Sequence, residues 1–433
     1  MTAKNNIPVG YKDSVVGIIP QEWEVKPFKN LGAFLRTNTL SREHMNNVEG
    51  LALNIHYGDV LVRYGEILDC SKTAIPWVNN SCRETRLGDR LQNGDIVISD
   101  TAEDYTVGKA TELCNVGNNC VLSGLHTMAF RPHKEIFALR YLGYYFNSSA
   151  YRAQLYSLIQ GIKVCSVSKS AISDTYIPVP PLTEQRKIAE ILGVWDEAIE
   201  KQSRLIEKLE LRKRGLMQHL LTGRTRLPGF TTPWQKVSYA EILKEVKRNM
   251  TWDDNKEYDL ISMKRRSGGL FHRERLLGKD IKTKNLRPAL CGDFLISKMQ
   301  IVHGASGLVT EEFDGMKISG SYIALIAKDD KLVDMSFINW YSKTPYFYHQ
   351  TYVSSYGVHI EKMTFDLESF MSMSIWLPDL PEQKAIAEVL TAADNEIATH
   401  RKKLAALCLQ KRGLMQQLLT GKTRVKFNKH TII

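Results

Sequence analysis

The sequence lacks most of what would let a chain cross a membrane, cross-link itself or hold a metal. No apolar run approaches the roughly 18–20 residues that span a bilayer. The opening stretch MTAKNNIPVGYKDS has no apolar segment of the kind a secretory leader needs. Its 7 cysteines (Cys70, Cys82, Cys114, Cys120, Cys165, Cys291 and Cys408) are odd in number and show no CxxC or Cys/His spacing. That pattern points to reduced thiols in a cytoplasmic protein and argues against a zinc site. Proline is absent from some 38 residues or more beginning at residue 182 and again at residue 382, which leaves both stretches free to be long helices.

What is present is a basic, ordinary globular composition: 433 residues, 43% hydrophobic, 24% charged, with a net charge of +11. That length suits two or three domains with their own cores. The positive excess invites a polyanion, yet +6 of it lies in residues 382–433 and +3 in residues 184–227. Charge therefore permits nucleic acid without locating a site.

The chain repeats itself. KRGLMQHLLTGRTRL (213–227) returns as KRGLMQQLLTGKTRV (411–425), and a shift of 198 superimposes the whole of 184–227 on 382–425 with half of the 44 positions identical. Weaker echoes keep the order: IPQEWEVK (19–26) and TTPWQKV (231–237), GDIVIS (94–99) and GDFLIS (292–297), LSG (122–124) and ISG (318–320), Gly161 and Gly357. The plan is variable region, repeated block, variable region, repeated block; two copies are too few for a solenoid. In the variable regions, QNGDIVIS and LCGDFLIS read as strands after turns. LRYLGYYFNSSAYRAQLYSLI and FINWYSKTPYFYHQTYV read as helices on a sheet, their aromatics belonging to a core rather than to base stacking.

Each repeated block opens after prolines (Pro178, Pro180 and Pro181; Pro378 and Pro381) and then spaces its apolar residues 4-3-4-3. The first stripe runs Ile188, Leu192, Trp195, Ile199, Gln202, Ile206, Leu209, Lys213, Leu216, Leu220. The second runs Ile386, Leu390, Ala393, Ile397, His400, Leu404, Leu407, Lys411, Leu414, Leu418. Such a period predicts coiled-coil helices, with Gly223 and Gly421 as C-terminal caps. A parallel pair would set Lys213 against Lys411. An antiparallel pair in which partner numbers sum to 613 sets Gln202 against Lys411 and Lys213 against His400, and leaves every other contact apolar. The expected fold class is α+β: two mixed α/β domains joined by two long helices forming an antiparallel coiled coil, pseudo-two-fold symmetric. Its partner would have a local dyad of its own, as duplex DNA does.

This organisation, with PLTEQRKIAEIL, LPEQKAIAEVL, LLTGRTRL and LLTGKTRV in place, closely resembles the specificity subunits of Type I restriction-modification systems, over essentially the whole chain. The resemblance implies a first target-recognition domain at 1–180, a first spacer helix at 181–227, a second target-recognition domain at 228–377, a second spacer helix at 378–425 and a basic tail at 426–433. It further implies that each domain reads one half of a bipartite double-stranded DNA site, and that the helices set the spacer and dock two adenine methyltransferase (modification) subunits. Translocating restriction subunits join them; S-adenosylmethionine, ATP and Mg belong to those partners and none to this chain.

Candidate DNA contacts cluster in MKRRSGGLFHRERLLGKDIKTKN, where Lys264, Arg265 and Arg266 precede a Gly-Gly pair and His272, Arg273 and Arg275 follow. Arginines around a turn suit phosphate, or guanine where one reaches the groove. KMQIVHGASG adds Lys298, Gln300 and His303. The matching first-region turn, DTAEDYTVGK, is acidic until Lys109, so Arg83, Arg86 and Arg90 of SCRETRLGDR stand in. No catalytic constellation is expected. TGKT (420–423) resembles a phosphate loop but has Gln416 where a glycine is needed and ends a helix rather than starting one. In PDLPEQK, Glu382 suits the positive end of a helix dipole better than a nuclease centre. No NPP(Y/F) motif of adenine methyltransferases is present. The alternatives are a stand-alone DNA-binding regulatory or architectural protein, and a protein-only scaffold.

Overall fold

The structure, a computed structural model, describes residues 7–82 and 88–426. Arg83, Arg86 and all of the basic tail beyond residue 426 lie outside the described residues. The chain divides into two compact units: residues 1–202 with 403–433, and residues 203–402. Each division falls inside one of two long helices, Leu182–Leu220 (39 residues) and Leu380–Leu419 (40 residues). At about 1.5 Å per residue each is close to 60 Å long. No described helix is long and apolar enough to cross a membrane.

In the first unit a five-stranded sheet runs in the order Gly32–Phe34, Thr127–Pro132, Ile96–Ser99, Ala110–Cys114, Ile67–Asp69, antiparallel except for the last pairing. A smaller sheet pairs Leu53–Ile55 in parallel with Val121–Ser123 and antiparallel with Trp77–Val78. The second unit runs Leu243–Glu245, Tyr322–Ala327, Phe294–Ser297, Ser306–Leu308, and beside it Glu257–Met263 lies between Leu270–Leu277 and a parallel Lys317–Ser319. Four strands of the main sheet and three of the smaller one follow the same order in both units. The units part where the first runs from Leu53–Ile55 to Trp77–Val78 through helix Tyr57–Val62 and strand Ile67–Asp69, while the second makes one hairpin.

The GD motifs explain their own strands. Gly94 and Gly292 sit at φ 89° and 90°, a left-handed conformation that makes the turn before the strand. The aspartates that follow are buried and not on display: Asp95 holds Arg131 at 2.7 and 2.9 Å, and Asp293 holds Arg248 in a bidentate pair. The aromatic stretches form helices Tyr141–Phe146 and Ser149–Leu155 in the first unit, Met335–Tyr341 and Pro345–Val353 in the second. Side-chain caps start three of them, at Ser148, Asp334 and Thr344. Tyr141, Tyr144, Tyr145, Phe146, Tyr151, Phe337 and Phe347 are buried in the cores, so base stacking is closed to them.

None of the twenty heptad-stripe positions is exposed, and Ile188, Leu192, Ile386 and Leu390 are within two percent of full burial. Each such side chain contributes roughly 1.5–3 kcal/mol relative to exposure. In the first unit Met415, Leu418 and Leu419 share a core with Ile188, Ala189 and Leu192. In the second, Leu220 and Leu221 share one with Ile386, Ala387 and Leu390. The helices end at φ 68° for Gly223 and 69° for Gly421, whose amides reach back to Leu220 and Leu418.

The repeated Glu-Gln pair does more than answer the helix dipole. Glu184 is buried and accepts from Trp23 Nε1 at 2.9 Å and from Arg424 at 2.7 and 3.0 Å. Glu382 does the same with Trp234 at 3.0 Å and Arg226 at 2.6 Å twice. Gln185 accepts from Ala138 N and donates to the carbonyls of Ile136 and Pro180, while Gln383 accepts from Asp334 N and donates to Leu332 and Pro378. The arginine of LLTGxTR in one copy is thus tied to the opening glutamate of the other, once in each unit.

Candidate nucleic-acid interface

The hairpin Glu257–Met263/Leu270–Leu277 puts residues 264–269 at its tip, with Arg266 and Ser267 in left-handed backbone at φ 57° and 53°. The tip is not free. Arg266 N donates to His303 O at 2.6 Å, Ser267 N to Gly304 O at 2.9 Å, and the Ser267 and Tyr348 hydroxyls meet at 2.7 Å. Arg265 reaches Gln300 Oε1 at 2.7 Å and Glu361 Oε2 at 2.8 Å, and His303 Nε2 lies 3.2 Å from the other oxygen of Glu361. Two separate sequence stretches, around 264–266 and 298–303, therefore form one site. Lys298 stands half-buried at its edge, its carbonyl accepting from Phe365 N, and Lys264 lies 5.6 Å over the Phe271 ring.

His272, Arg273 and Arg275 are not gathered there. His272 and Arg275 share Asp259 along the hairpin at 2.8 Å, and Arg273 pairs with Glu274. The Arg275 guanidinium, and after burial's opposing push the His272 ring, hold the Asp259 carboxyl below the usual carboxylate range. Arg266 instead lines an open cleft of about 770 Å³ with Lys213, Lys343, Tyr348, Asp394 and Arg401. Sequence reasoning missed Lys343 and Arg401, and assigned Lys213 to the helix stripe alone. The only available signal was a lysine beside aromatics: Lys343 Nζ lies 3.8 Å over the Trp340 ring.

In the first unit the candidates do not converge. Arg90 is exposed and donates to Asn118 O and Asn119 O at 2.7 and 3.0 Å. Lys109 turns inward, its ammonium on Leu61 O at 2.9 Å, and burial lowers its pKa. It lines a different cleft, of about 920 Å³, with Glu66, Asp104, Arg152, Asp196, Lys411 and Arg412 among its walls. There Lys411 is nearly buried, 2.8 Å from Glu66 and 2.5 Å from Asp196, whose carboxylate also takes the Tyr144 hydroxyl. Burial pushes Lys411 down, but Glu66 and Asp196 more than offset it and hold its pKa above the ordinary lysine value. The counterpart in the second unit is Lys213 on Asp394 at 2.5 Å, 198 residues from each partner of the first pair. Among the described residues no group of three or more His, Cys, Asp or Glu is placed to hold a metal.

A tandem of two related α+β units, each with a cleft where basic side chains from a long helix meet the variable region, matches known proteins throughout. The family described as Type I restriction modification DNA specificity domain matches residues 68–211 and 233–408. The chain belongs to that family. It is similar to the putative type I restriction enzyme MjaX specificity subunit of Methanocaldococcus jannaschii, 25% identical over 96% of this chain and 97% of that one. It is also similar to the EcoKI specificity subunit of Escherichia coli K12, 22% identical over 55% of this chain and 52% of that one. In fold it resembles the crystal structure of the Type-I restriction-modification system S subunit from M. genitalium (TM-score 0.53, 13% identity, 96% and 98% covered). A structure described as the basis of complex assembly and conformational transition of the type I R-M system is similar too (TM-score 0.55, 16% identity, 94% and 99% covered).

Proposed function

We propose that this chain is the DNA-specificity subunit of a Type I restriction-modification complex, each unit reading one half of a split double-stranded site. It is a recognition subunit and not a catalytic one; S-adenosylmethionine, ATP and Mg belong to modification and restriction partners. The two long helices pair antiparallel, set the spacer between half-sites, and offer their remaining faces to two methyltransferase subunits.

The observation that carries this reading is the repetition of one set of contacts in both units. The Glu-Trp-Arg tie and the Lys-Asp pair recur with partners exchanged between the two helices: Asp196 with Lys411 in the first unit, Lys213 with Asp394 in the second. Arg212 with Glu396 and Glu210 with Arg401 add to the second. Partner numbers that fall on one helix as they rise on the other support antiparallel pairing. For DNA, the support is the joined site at Arg265, Arg266, Gln300 and His303 beside the cleft of Lys213, Lys343 and Arg401, since cations and an amide on a turn suit phosphate and base edges.

A genome-wide map of methylated adenines in host cells with and without the gene tests the proposal. Loss of methylation at a split motif with an unspecified middle is the expected result. Unchanged methylation together with failure to co-purify a methyltransferase would overturn it in favour of a DNA-binding protein acting alone.

A further inference from the structure

Past the second aromatic helix, each unit carries the same four-residue pattern of glycine, apolar, basic, apolar: Gly161-Ile162-Lys163-Val164 and Gly357-Val358-His359-Ile360. Both glycines adopt positive φ, 95° and 153°. A side chain there is blocked, by Val164 O at 2.0 Å in the first unit and by Met363 Cα at 2.9 Å in the second. Only glycine makes these turns, and each delivers the next residue outward. Ile162 is 97% exposed and Val358 95%, with Val164 and Ile360 about half exposed behind them.

Single exposed apolar residues are common and need no explanation. A β-branched residue in full solvent after a glycine-only turn, at matching places in two units whose loops otherwise differ, is another matter. The tips are anchored. In the first unit a Gln160–Ser166 bridge closes the base and Cys165–Ser166 pairs with Thr101–Ala102; in the second, Ser355–Tyr356 pairs with Thr364–Phe365. In the second unit the tip adjoins the basic site: Phe365 N donates to Lys298 O at 3.0 Å, and Glu361 sits between Arg265 and His303. Lys163, His359 and Lys362 are exposed alongside, and those cationic side chains suit a polyanion.

Resting on the DNA-specificity reading above, we infer that Ile162 and Val358 are base-reading residues, each laying its side chain against a thymine methyl in the major groove of its half-site while Lys163 and His359 face the backbone. The thymine methyl is the one apolar feature that the major groove offers, and a small aliphatic side chain is its complement. An apolar tip also discriminates without adding a charge, so it contributes to specificity and not to the salt-dependent part of binding.

The test uses the complex of this chain with its methyltransferase, on duplexes carrying the split motif found by methylation mapping, with each thymine replaced in turn by uracil. In one half-site a single replacement should weaken binding about fourfold, the effect of removing one buried methyl. Val358→Ala should weaken binding to the thymine duplex by a similar factor and then ignore that replacement. Ile162→Ala should do the same in the other half-site. Both variants alter fully exposed side chains, so the thermal midpoint and the salt dependence of binding should stay unchanged. Specific binding that ignores every uracil, or that both variants leave intact, would overturn the inference. Absence of specific binding by the unaltered complex would instead overturn the DNA-specificity reading, and the inference with it.

Discussion

The two units meet one packing demand with opposite chemistry. In the first, Glu112 faces Ile96 across the main sheet; in the second, Leu308 faces Phe294, the residue 198 positions after Ile96. Glu112 is buried and accepts from the amides of Arg140 and Gly143 at the start of the aromatic helix, the second at 2.8 Å. At Leu308 the roles reverse: the strand amide donates to Asn339 Oδ1 on the helix at 3.2 Å. By contrast, the Glu-Trp-Arg tie at the helix ends is the same in both. The fold holds its helix ends by one fixed set of contacts and lets the sheet's outer parts diverge, which leaves room for different recognition surfaces on one frame.

The largest effect should come from breaking the tie. Glu184→Gln or Glu382→Gln puts an amide NH2 where one carboxylate oxygen accepts and removes the charge, so the tryptophan N–H and the arginine are left with a single acceptor oxygen at a buried position, at a cost of about 3 kcal/mol. Hydrogen exchange should show opening confined to the first unit for Glu184→Gln and to the second for Glu382→Gln; equal loosening of both by either variant would break the comparison. Next come the stripe lysines. The Lys411 side chain is 7% exposed between two acids, whereas Lys213 is 24% exposed on an Asp394 that is 46% exposed. Lys411→Met should therefore destabilise by about 2 kcal/mol and Lys213→Met by under about 1 kcal/mol in denaturant titrations.

Glu112 gives a pH signature that the second unit cannot share. Burial pushes its carboxyl from 4.5 up to about 8, against the pull of the two amides. The folded state then holds a proton that the unfolded state has released, so the stability this group supplies is complete below about pH 4.5 and is lost as pH rises toward about 8. Glu112→Gln should flatten that decline in thermal midpoints of the first unit. The smallest effect concerns DNA. Arg266→Ala should lower the salt slope of binding by about 1 with under about 0.5 kcal/mol change in stability. Arg90→Ala should change the slope less, because its guanidinium already serves the Asn118 and Asn119 carbonyls.

The long helices, their glycine caps and the strands after GD were legible because each follows from a local period or a turn residue. Covered stripes at Ile188 through Leu220 and Ile386 through Leu418 are what a 4-3-4-3 spacing demands. The role of Glu184 and Glu382 was hidden, since their partners Arg424 and Arg226 lie 240 and 156 residues away in sequence. Part of the candidate site was legible: basic runs marked 264–266, and a turn marked 298–303. Their junction depends on backbone bonds from Arg266 and Ser267 to His303 and Gly304, which no local pattern announces. Lys109 misled because a lysine looks the same in sequence whether it meets solvent or the Leu61 carbonyl.

The most direct measurement of the central claim, that each unit reads its own half of a split site, is a map of methylated adenines in cells carrying the unaltered chain, a chain altered at Arg265 and Arg266, or one altered at Ile162. The account predicts a split motif whose one half loosens with the first change and whose other half loosens with the second, the spacing unchanged. Loosening of both halves together by either change, or methylation that never depends on this chain, would contradict it.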